Sequence, residues 1–273
     1  MPEAVSRLDL KSLSTWEKRE LAALLEEMES RRKRRLIHSM YPDAGPLRRE
    51  LYARHLQFFR LGAKAGINER GFMAANRVGK TWGAGGYELT LHLTGNYPQW
   101  WEGRRFAHPV DAWAAGDTAE TTRDIIQRCL LGPIDAFGTG LIPGDLLVGE
   151  PTRRRAVADA VDTVAVRHAS GGTSLLGFKS YDQGRRKFQG TAKHVIWEDE
   201  EPPADVHSEC LLRLMTVDGL LMLTFTPLSG ISEVVFRYIK DAEDALSGDG
   251  DLGRRPASDG EAEERSVGLD PSP

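Results

Sequence analysis

Short apolar runs bounded by turn residues alternate along this chain with longer stretches of helical spacing. Over 14–41, Leu21, Leu24, Leu25 and Met28 recur at helical intervals, Ser14 and Thr15 offer caps ahead of Glu17, and Pro42 stops the run. This pattern predicts one long helix. A second helix is predicted over 46–65. It leads into Phe72-Met73-Ala74-Ala75, an apolar tetrapeptide of the kind that forms a buried parallel strand. Further strands are predicted at 111–115, 163–168, 174–178, 195–197 and 220–225, with helical stretches at 82–93 and 118–131 between several of them. Strands that alternate with helices predict an α/β fold with a mostly parallel central sheet flanked by helices.

The 273 residues suffice for one sizeable core with attachments. The predicted division is a helical N-terminal segment over 1–45, a main domain over 46–240 and a tail over 241–273. An apolar content of 40% with 28% charged residues excludes collagen-like and wholly disordered classes. The tail is rich in Gly, Ser, Asp, Glu, Pro and Arg and holds no aromatic residue, so it is expected to be disordered. It also masks the charge of the body. The whole chain carries −4, but 241–273 hold ten acids against three bases, which leaves 33 bases and 30 acids on 1–240.

Two cysteines, Cys129 and Cys210, cannot build a disulfide framework or a zinc site by themselves, and the opening MPEAVSRLDLKS lacks an apolar signal region. No apolar run reaches bilayer length; 219–225 is strand-sized. An intracellular, reduced and soluble protein is expected. The cluster Arg31, Arg32, Lys33, Arg34 and Arg35 reads as a solvated helix face in preference to a phosphate contact, and Trp100-Trp101 as core in preference to a DNA contact.

The sharpest chemical signal is Ala74-Ala75-Asn76-Arg77-Val78-Gly79-Lys80-Thr81, the phosphate-loop pattern with Ala in place of the first Gly. A short apolar strand precedes it and a helix is predicted after it. In that setting successive backbone N–H groups and the helix N-terminus offer unpaired donors and positive partial charge to phosphates. Lys80 would reach the β- and γ-phosphates, and the Thr81 hydroxyl would ligate Mg²⁺. Ala74 requires a negative φ, so the loop must not need glycine's freedom there.

A nucleotide hydrolase also needs a second metal-side carboxylate and a base for water at the C-terminal edge of the sheet. His194-Val195-Ile196-Trp197-Glu198-Asp199-Glu200-Glu201-Pro202-Pro203 supplies both, since an apolar strand runs into the acids and the prolines forbid its continuation. Asp199 would hold Mg²⁺ and Glu200 would orient and deprotonate the water. A slip of one residue would hand either role to Glu198 or Glu201, and an exposed acidic turn has the same composition.

Taken together, these residues resemble the large terminase subunit of tailed bacteriophages, the ATPase that drives double-stranded DNA into proheads. The resemblance spans roughly 52–240. Beyond the loop and the acids it is carried by Tyr52-Ala53-Arg54-His55-Leu56-Gln57-Phe58-Phe59, by Leu93-Thr94-Gly95-Asn96-Tyr97-Pro98 with Trp100-Trp101-Glu102-Gly103, by Ser180-Tyr181-Asp182-Gln183-Gly184-Arg185, and by Thr224-Phe225-Thr226-Pro227. It implies a P-loop NTPase fold of the type with an additional catalytic glutamate (ASCE), with ATP and Mg²⁺ bound across Ala75, Asn76, Arg77, Val78, Gly79, Lys80 and Thr81. It further implies that Gln57 reads adenine beside Phe58 or Tyr52 and that Arg77 contacts the γ-phosphate. Arg185, or Arg186 in its place, becomes the finger inserted by a neighbouring subunit, and Thr224 and Thr226 the coupling motif. The implied partners are double-stranded DNA, a small terminase subunit, a portal protein and further copies in a ring, in the cytoplasm of a bacterial host and with no membrane.

Two departures stand out. Glu198 occupies a position where the family pattern has an apolar residue. Large terminase subunits also continue into a metal-dependent nuclease domain, and nothing after Lys240 has the composition to fold into one, so an ATPase portion from a shortened or frameshifted reading frame is expected. Another nucleic-acid-stimulated P-loop ATPase, such as a helicase or remodeller, and an idle remnant that only binds partners are the competing readings.

Overall fold

A computed structural model of the chain describes residues 14–155, 157–227 and 230–247, with the side chains of 28–34 and 241–247 outside the description. The elements run α1 (Thr15–Arg34), α2 (Leu36–Ser39), α3 (Ala53–Leu61), β1 (Glu69–Met73), then α4 (Tyr87–Thr94) preceded by the wide-turned segment Lys80–Gly86. β2 (Asp111–Gly116) is followed by α5 (Ala119–Thr121) and α6 (Arg128–Leu131), joined by another wide-turned segment, Thr122–Gln127. The rest is β3 (Leu147–Arg153), β4 (Val161–Arg167), β5 (Thr173–Ser180), β6 (Val195–Asp199), α7 (Ala204–Leu214), β7 (Leu220–Phe225) and α8 (Glu233–Ser247).

The strands form one seven-stranded sheet in the order β1-β7-β6-β2-β5-β4-β3. From β1 to β5 every pairing is parallel, whereas β4 and β3 fold back as an antiparallel arm. β6 and β7 are buried along their whole lengths, as central strands covered on both faces must be. Alternation divides them between two cores. Trp197 and Met222 join the larger core with Phe58, Phe59 and Tyr87, while Ile196, Leu221 and Leu223 face Val206, Cys210 and Val235 under α7 and α8.

This topology positions the chemistry. Because the five parallel strands end on one rim, the residues that leave β1, β7, β6 and β2 gather there. β7 lies between β1 and β6, so the loop strand and the acid-bearing strand are not neighbours, and Thr224 sits between them. The segment after the loop approaches β6 so closely that a Cβ on Gly85 would lie 2.1 Å from the Trp197 indole nitrogen. Below it, Arg70 of β1 and Glu88 of α4 form a buried ion pair at 2.8 Å, with the Arg70 guanidinium also donating to the Phe58 carbonyl. Burial pushes the Glu88 carboxyl up, but Arg70 and His92 outweigh it and hold the group below its usual range. The two arms of the loop are thus clamped together.

Several expectations are corrected. The helix predicted over 14–41 breaks at Arg35, whose backbone is extended (ψ 127°); α2 then buries Ile37, and the chain just after it buries Tyr41. The 46–65 segment is a tight turn at Arg49–Tyr52 followed by α3. β1 begins and ends earlier than 72–75 and is an edge strand with Met73 half-exposed, so Ala74 and Ala75 already belong to the loop. β3, α7 and α8 lie outside the elements that the sequence pattern predicts. β3 carries mostly exposed polar residues and Pro151 at the sheet edge, with irregular pairing that blunts it. α8 crosses the predicted boundary at 241 and makes 241–247 helical, because Val234 and Val235 and the half-buried Tyr238 and Ile239 seat it on the sheet before the composition changes. α1 leaves Trp16, Leu24 and Leu25 exposed, so its apolar spacing does not mark a core face. Of its basic cluster only Arg35 has a described side chain, paired with Asp145; Arg31, Arg32, Lys33 and Arg34 lie outside the described side chains. Trp101 is core and Trp100 packs against it. Among the described residues no helix is long and apolar enough to cross a membrane.

The clamp makes a testable demand. Glu88→Ala, which leaves Arg70 buried and unpaired, is expected to cost about 3–5 kcal/mol of unfolding free energy, whereas Arg70→Met with Glu88→Leu recovers most of that. Denaturant melts that show equal losses for the single and the double variant would contradict it.

Candidate functional site

β1 ends in the loop 74–79, whose first residue keeps a negative φ and donates its N–H to Phe225 of β7 at 3.1 Å. Arg77 and Gly79 are left-handed, with φ of 65° and 86°. Among the described residues, no acceptor takes the backbone N–H groups of 75–79. A loop of alternating handedness with free N–H groups is a concave donor surface suited to an anion. Gly79 precedes Lys80–Gly86, so the loop donors run directly into a helix N-terminus.

Lys80 is buried. Its Nζ donates to the Thr226 hydroxyl at 2.5 Å and to the Ala75 carbonyl at 3.4 Å. The Thr226 hydroxyl also lies 3.0 Å from Ala74 O and from Asn76 Oδ1. One residue on, the Thr81 hydroxyl donates to the Asp199 carboxylate at 3.0 Å, across 118 positions of sequence. Asp199 ends β6 and accepts a second hydroxyl, from Thr224, at 2.7 Å; the Trp197 indole N–H in turn donates to Thr224 at 2.8 Å. Trp197, Thr224 and Thr81 therefore fix the Asp199 carboxylate through donors alone. Burial, together with the neighbouring Glu200, pushes the Asp199 carboxyl up to about 7 despite those hydroxyls and Lys80.

Glu200 follows in a left-handed conformation, φ 63°. Its N–H donates to the Thr224 carbonyl at 2.8 Å and its carboxylate accepts the Thr226 N–H at 3.2 Å. Glu198, by strand alternation, lies on the opposite face of β6, where its carboxylate meets His207 Nδ1 at 2.6 Å. His207 Nε2 lies 3.0 Å from Glu69, which also accepts from Arg237. Burial opposes charge on His207, but Glu198 and Glu69 prevail and push it up to about 10. That imidazolium accounts for an acid inside a buried strand. Glu201 is half-buried beyond the turn.

A hydroxyl beside a buried carboxylate is a set of hard oxygen donors, too few to cage a cation but enough to anchor one that keeps water or phosphate oxygens in its shell, which fits Mg²⁺. Thr81 and Asp199 are the residues that would hold it.

The other candidates are more dispersed. Asn76, Arg77 and Val78 are exposed on the loop. Gln57 is exposed on α3, with its side-chain carbonyl taking a bond from Arg54 at 3.0 Å. Phe58 belongs to the core, beneath the Arg70 guanidinium and against Phe72, so half-buried Tyr52 is the aromatic neighbour left with access. Arg185 is half-exposed, its Nε donating to the buried Glu209 of α7 at 2.9 Å; Arg186 is exposed. The sequence pattern marks no role for Trp197 or His207. An indole in the strand that carries the acids was the available sign for Trp197, whereas nothing near His207 in sequence marks its partners Glu69 and Glu198.

A strand, a donor-lined loop and a helix bearing Lys80 and Thr81, with a Thr-bearing strand between the loop strand and the acidic one, give the P-loop NTPase architecture. Residues 71–264 match the family described as "Terminase large subunit, T4likevirus-type, N-terminal". That match runs past Lys240, where the recognisable motifs end. The terminase large subunit of Salmonella phage P22 is 36% identical over an alignment covering 85% of this chain and 48% of that protein. The chain thus spans about half the length of that relative. Among solved structures, the large terminase of a thermophilic bacteriophage in complex with ADP is similar with a TM-score of 0.44 and 17% identity, over 70% of this chain and 42% of that one. The large terminase of bacteriophage HK97 is similar with a TM-score of 0.45 and 13% identity, over 67% of this chain and 34% of that one.

The raised Asp199 carboxyl sets a pH dependence. Its contribution to stability is complete below the unfolded value near 4 and is lost as pH rises through about 7. In the absence of Mg²⁺, Asp199→Asn should therefore gain on the unaltered protein between about pH 4 and 7, by at most about 1.4 kcal/mol per pH unit, and then level off. Thermal melts with a chelator present test this, and a difference that ignores pH contradicts it.

Proposed function

The chain belongs to the family of phage terminase large subunits, and from that membership we propose that its sheet rim is the Mg-ATP-hydrolysing centre of a motor that moves double-stranded DNA into a prohead. The observation that carries the proposal is the meeting of Thr81 with Asp199 at 3.0 Å, beside Lys80 and a loop with open N–H donors. Phosphate binding needs those donors, and hydrolysis needs the acids next to them.

In this reading the triphosphate lies along 75–79 and the Lys80 ammonium leaves the Thr226 hydroxyl for phosphate oxygens. Thr81 and Asp199 would hold Mg²⁺, which when bound would supply charge neutralisation to the phosphates. Glu200, anchored by Thr226, orients the attacking water and takes its proton. Arg77 adds positive charge at the γ-phosphate, and Gln57 reads the adenine edge with Tyr52 beside it. Arg185 serves a neighbouring copy in a ring, for which its guanidinium must exchange Glu209 for phosphate. Thr226 touches Lys80, the loop and Glu200 at once, so loss of the γ-phosphate changes its partners; with Thr224 on Asp199, it makes the exit of β7 the element that reports hydrolysis. A small terminase subunit and a portal protein are the assembly partners of this reading, and the bacterial cytoplasm its location.

Two substitutions test it. Lys80→Ala is expected to abolish ATP hydrolysis while the fold is retained, and a preserved rate would exclude the assignment. Glu200→Gln should bind nucleotide normally and hydrolyse it about 10²–10⁴-fold more slowly. Phosphate release by the unaltered chain should rise on adding duplex DNA without strand separation; unwinding would point to a helicase instead.

A further inference from the structure

Three backbone carbonyls converge on one buried phenol. The Tyr181 hydroxyl lies 3.3 Å from Ala115 O at the end of β2, 3.2 Å from Asp199 O and 3.1 Å from Glu200 O. A phenol has one proton to share among them. Burial, reinforced by the carboxylates of Glu198, Asp199 and Glu200, pushes the phenol well above its ordinary range, so it remains a donor.

The peptide it holds is the one that turns. Asp199 is the last residue of β6, and Glu200 is left-handed with φ 63°, a conformation unfavourable to a residue with a side chain. That reversal brings the Glu200 carboxylate back toward β7, within 3.2 Å of the Thr226 N–H. Neither neighbouring carboxylate takes a hydrogen bond from Tyr181; its partners are main-chain oxygens, that of Ala115 and the two on either side of the reversal. Its own position is fixed, because it opens the tight turn after β5 and packs near Phe188, which is wholly buried against Trp113.

We propose that Tyr181 is a positioning residue whose hydroxyl fixes the reversed peptide after Asp199 and thereby aims the Glu200 carboxylate at the attacking water. The inference rests on the reading of Glu200 as the base. It assigns Tyr181 no contact with nucleotide or metal, so its removal affects the hydrolytic step and spares binding.

The test uses the full chain with Mg-ATP and duplex DNA. Tyr181→Phe is expected to lower kcat by about ten- to a hundredfold while the affinity for a non-hydrolysable ATP analogue stays within about twofold. In the Glu200→Gln background the same substitution should cost nothing further, because residues that act as one unit are not additive. 3-Fluorotyrosine at 181, which keeps the hydroxyl, should restore the rate and also controls for a folding defect of the Phe variant. An unchanged kcat, a parallel loss of nucleotide affinity, or an equal loss in the Glu200→Gln background overturns the role of Tyr181. If Glu200→Gln stops hydrolysis and Tyr181→Phe does not, only this inference fails; if the unaltered chain hydrolyses nothing, the motor reading falls and takes this role with it.

Discussion

The rim of the sheet is organised around a carboxylate that the fold has withdrawn from water. Asp199 retains 4% of its surface, and its carboxylate is held by two hydroxyls, Thr81 from the loop helix and Thr224 from β7, with the Trp197 indole behind Thr224. Burial pushes its carboxyl up to about 7 in spite of those donors. A buried acid held in this way binds either a proton or a metal ion, and the free energy lost on stripping its water is available to be recovered by whichever arrives. The strand order follows the same logic. Thr224 reaches Asp199 only because β7 lies between the loop strand and the acid strand, and Thr226, two residues on, reaches Lys80 and Glu200 only for that reason.

What holds this rim in place is ionic and lies on both sides of the sheet. On one side Arg70 and Glu88 join β1 to α4, which carries on the helix begun by Lys80 and Thr81. On the other, His207 bridges Glu198 of β6 and Glu69 of β1, and Arg237 ties Glu69 to α8. The second network links the strand that feeds the phosphate loop to the strand that ends in the acids, although the two never pair. Burying ionic networks is neutral at best for stability, but breaking one is expensive, so such contacts define a geometry more than they stabilise a fold. Glu198 is then intelligible. It is the interior end of a clamp and not a misplaced member of the acidic cluster.

The sequence made the rim legible and much of its support illegible, for a physical reason. The loop, the helix after it and the acids are local patterns: an apolar strand, a glycine with positive φ, a lysine and a hydroxyl at fixed spacing, then a second strand running into carboxylates before two prolines. Strand and helix periods marked β2, β4, β5, β6 and β7 because central strands must be apolar. β3 escaped because an edge strand has no such need, and α8 because its apolar stripe runs across a change in composition. Phe58 shows the limit of a motif: the letters beside Gln57 matched a nucleotide-facing aromatic, but a helix shows each face to something different and Phe58 faces the core. Partners such as Glu69 and His207, 138 positions apart, leave no local trace at all.

Two of the five positive-φ residues with side chains among the described residues lie where chemistry is proposed. Of the residues with side chains and positive φ, Arg77 and Glu200 are at the rim. Glycine would adopt either conformation at no steric cost, and neither position uses it. At Arg77 the left-handed turn is what leaves consecutive N–H groups of the loop facing one hollow while keeping a guanidinium on the same segment. At Glu200 it is what lets the residue after a buried strand double back instead of running out with the chain toward Pro202. In both places a relaxed backbone would lose either the side chain or its direction, so the surroundings, chiefly Thr226 and Tyr181, must hold the unfavourable conformation. Asp199 meets the opposite demand. It needs only to stay buried and still, and regular strand geometry provides that, so the two adjacent acids divide into one placed by the sheet and one placed against the preference of its own backbone.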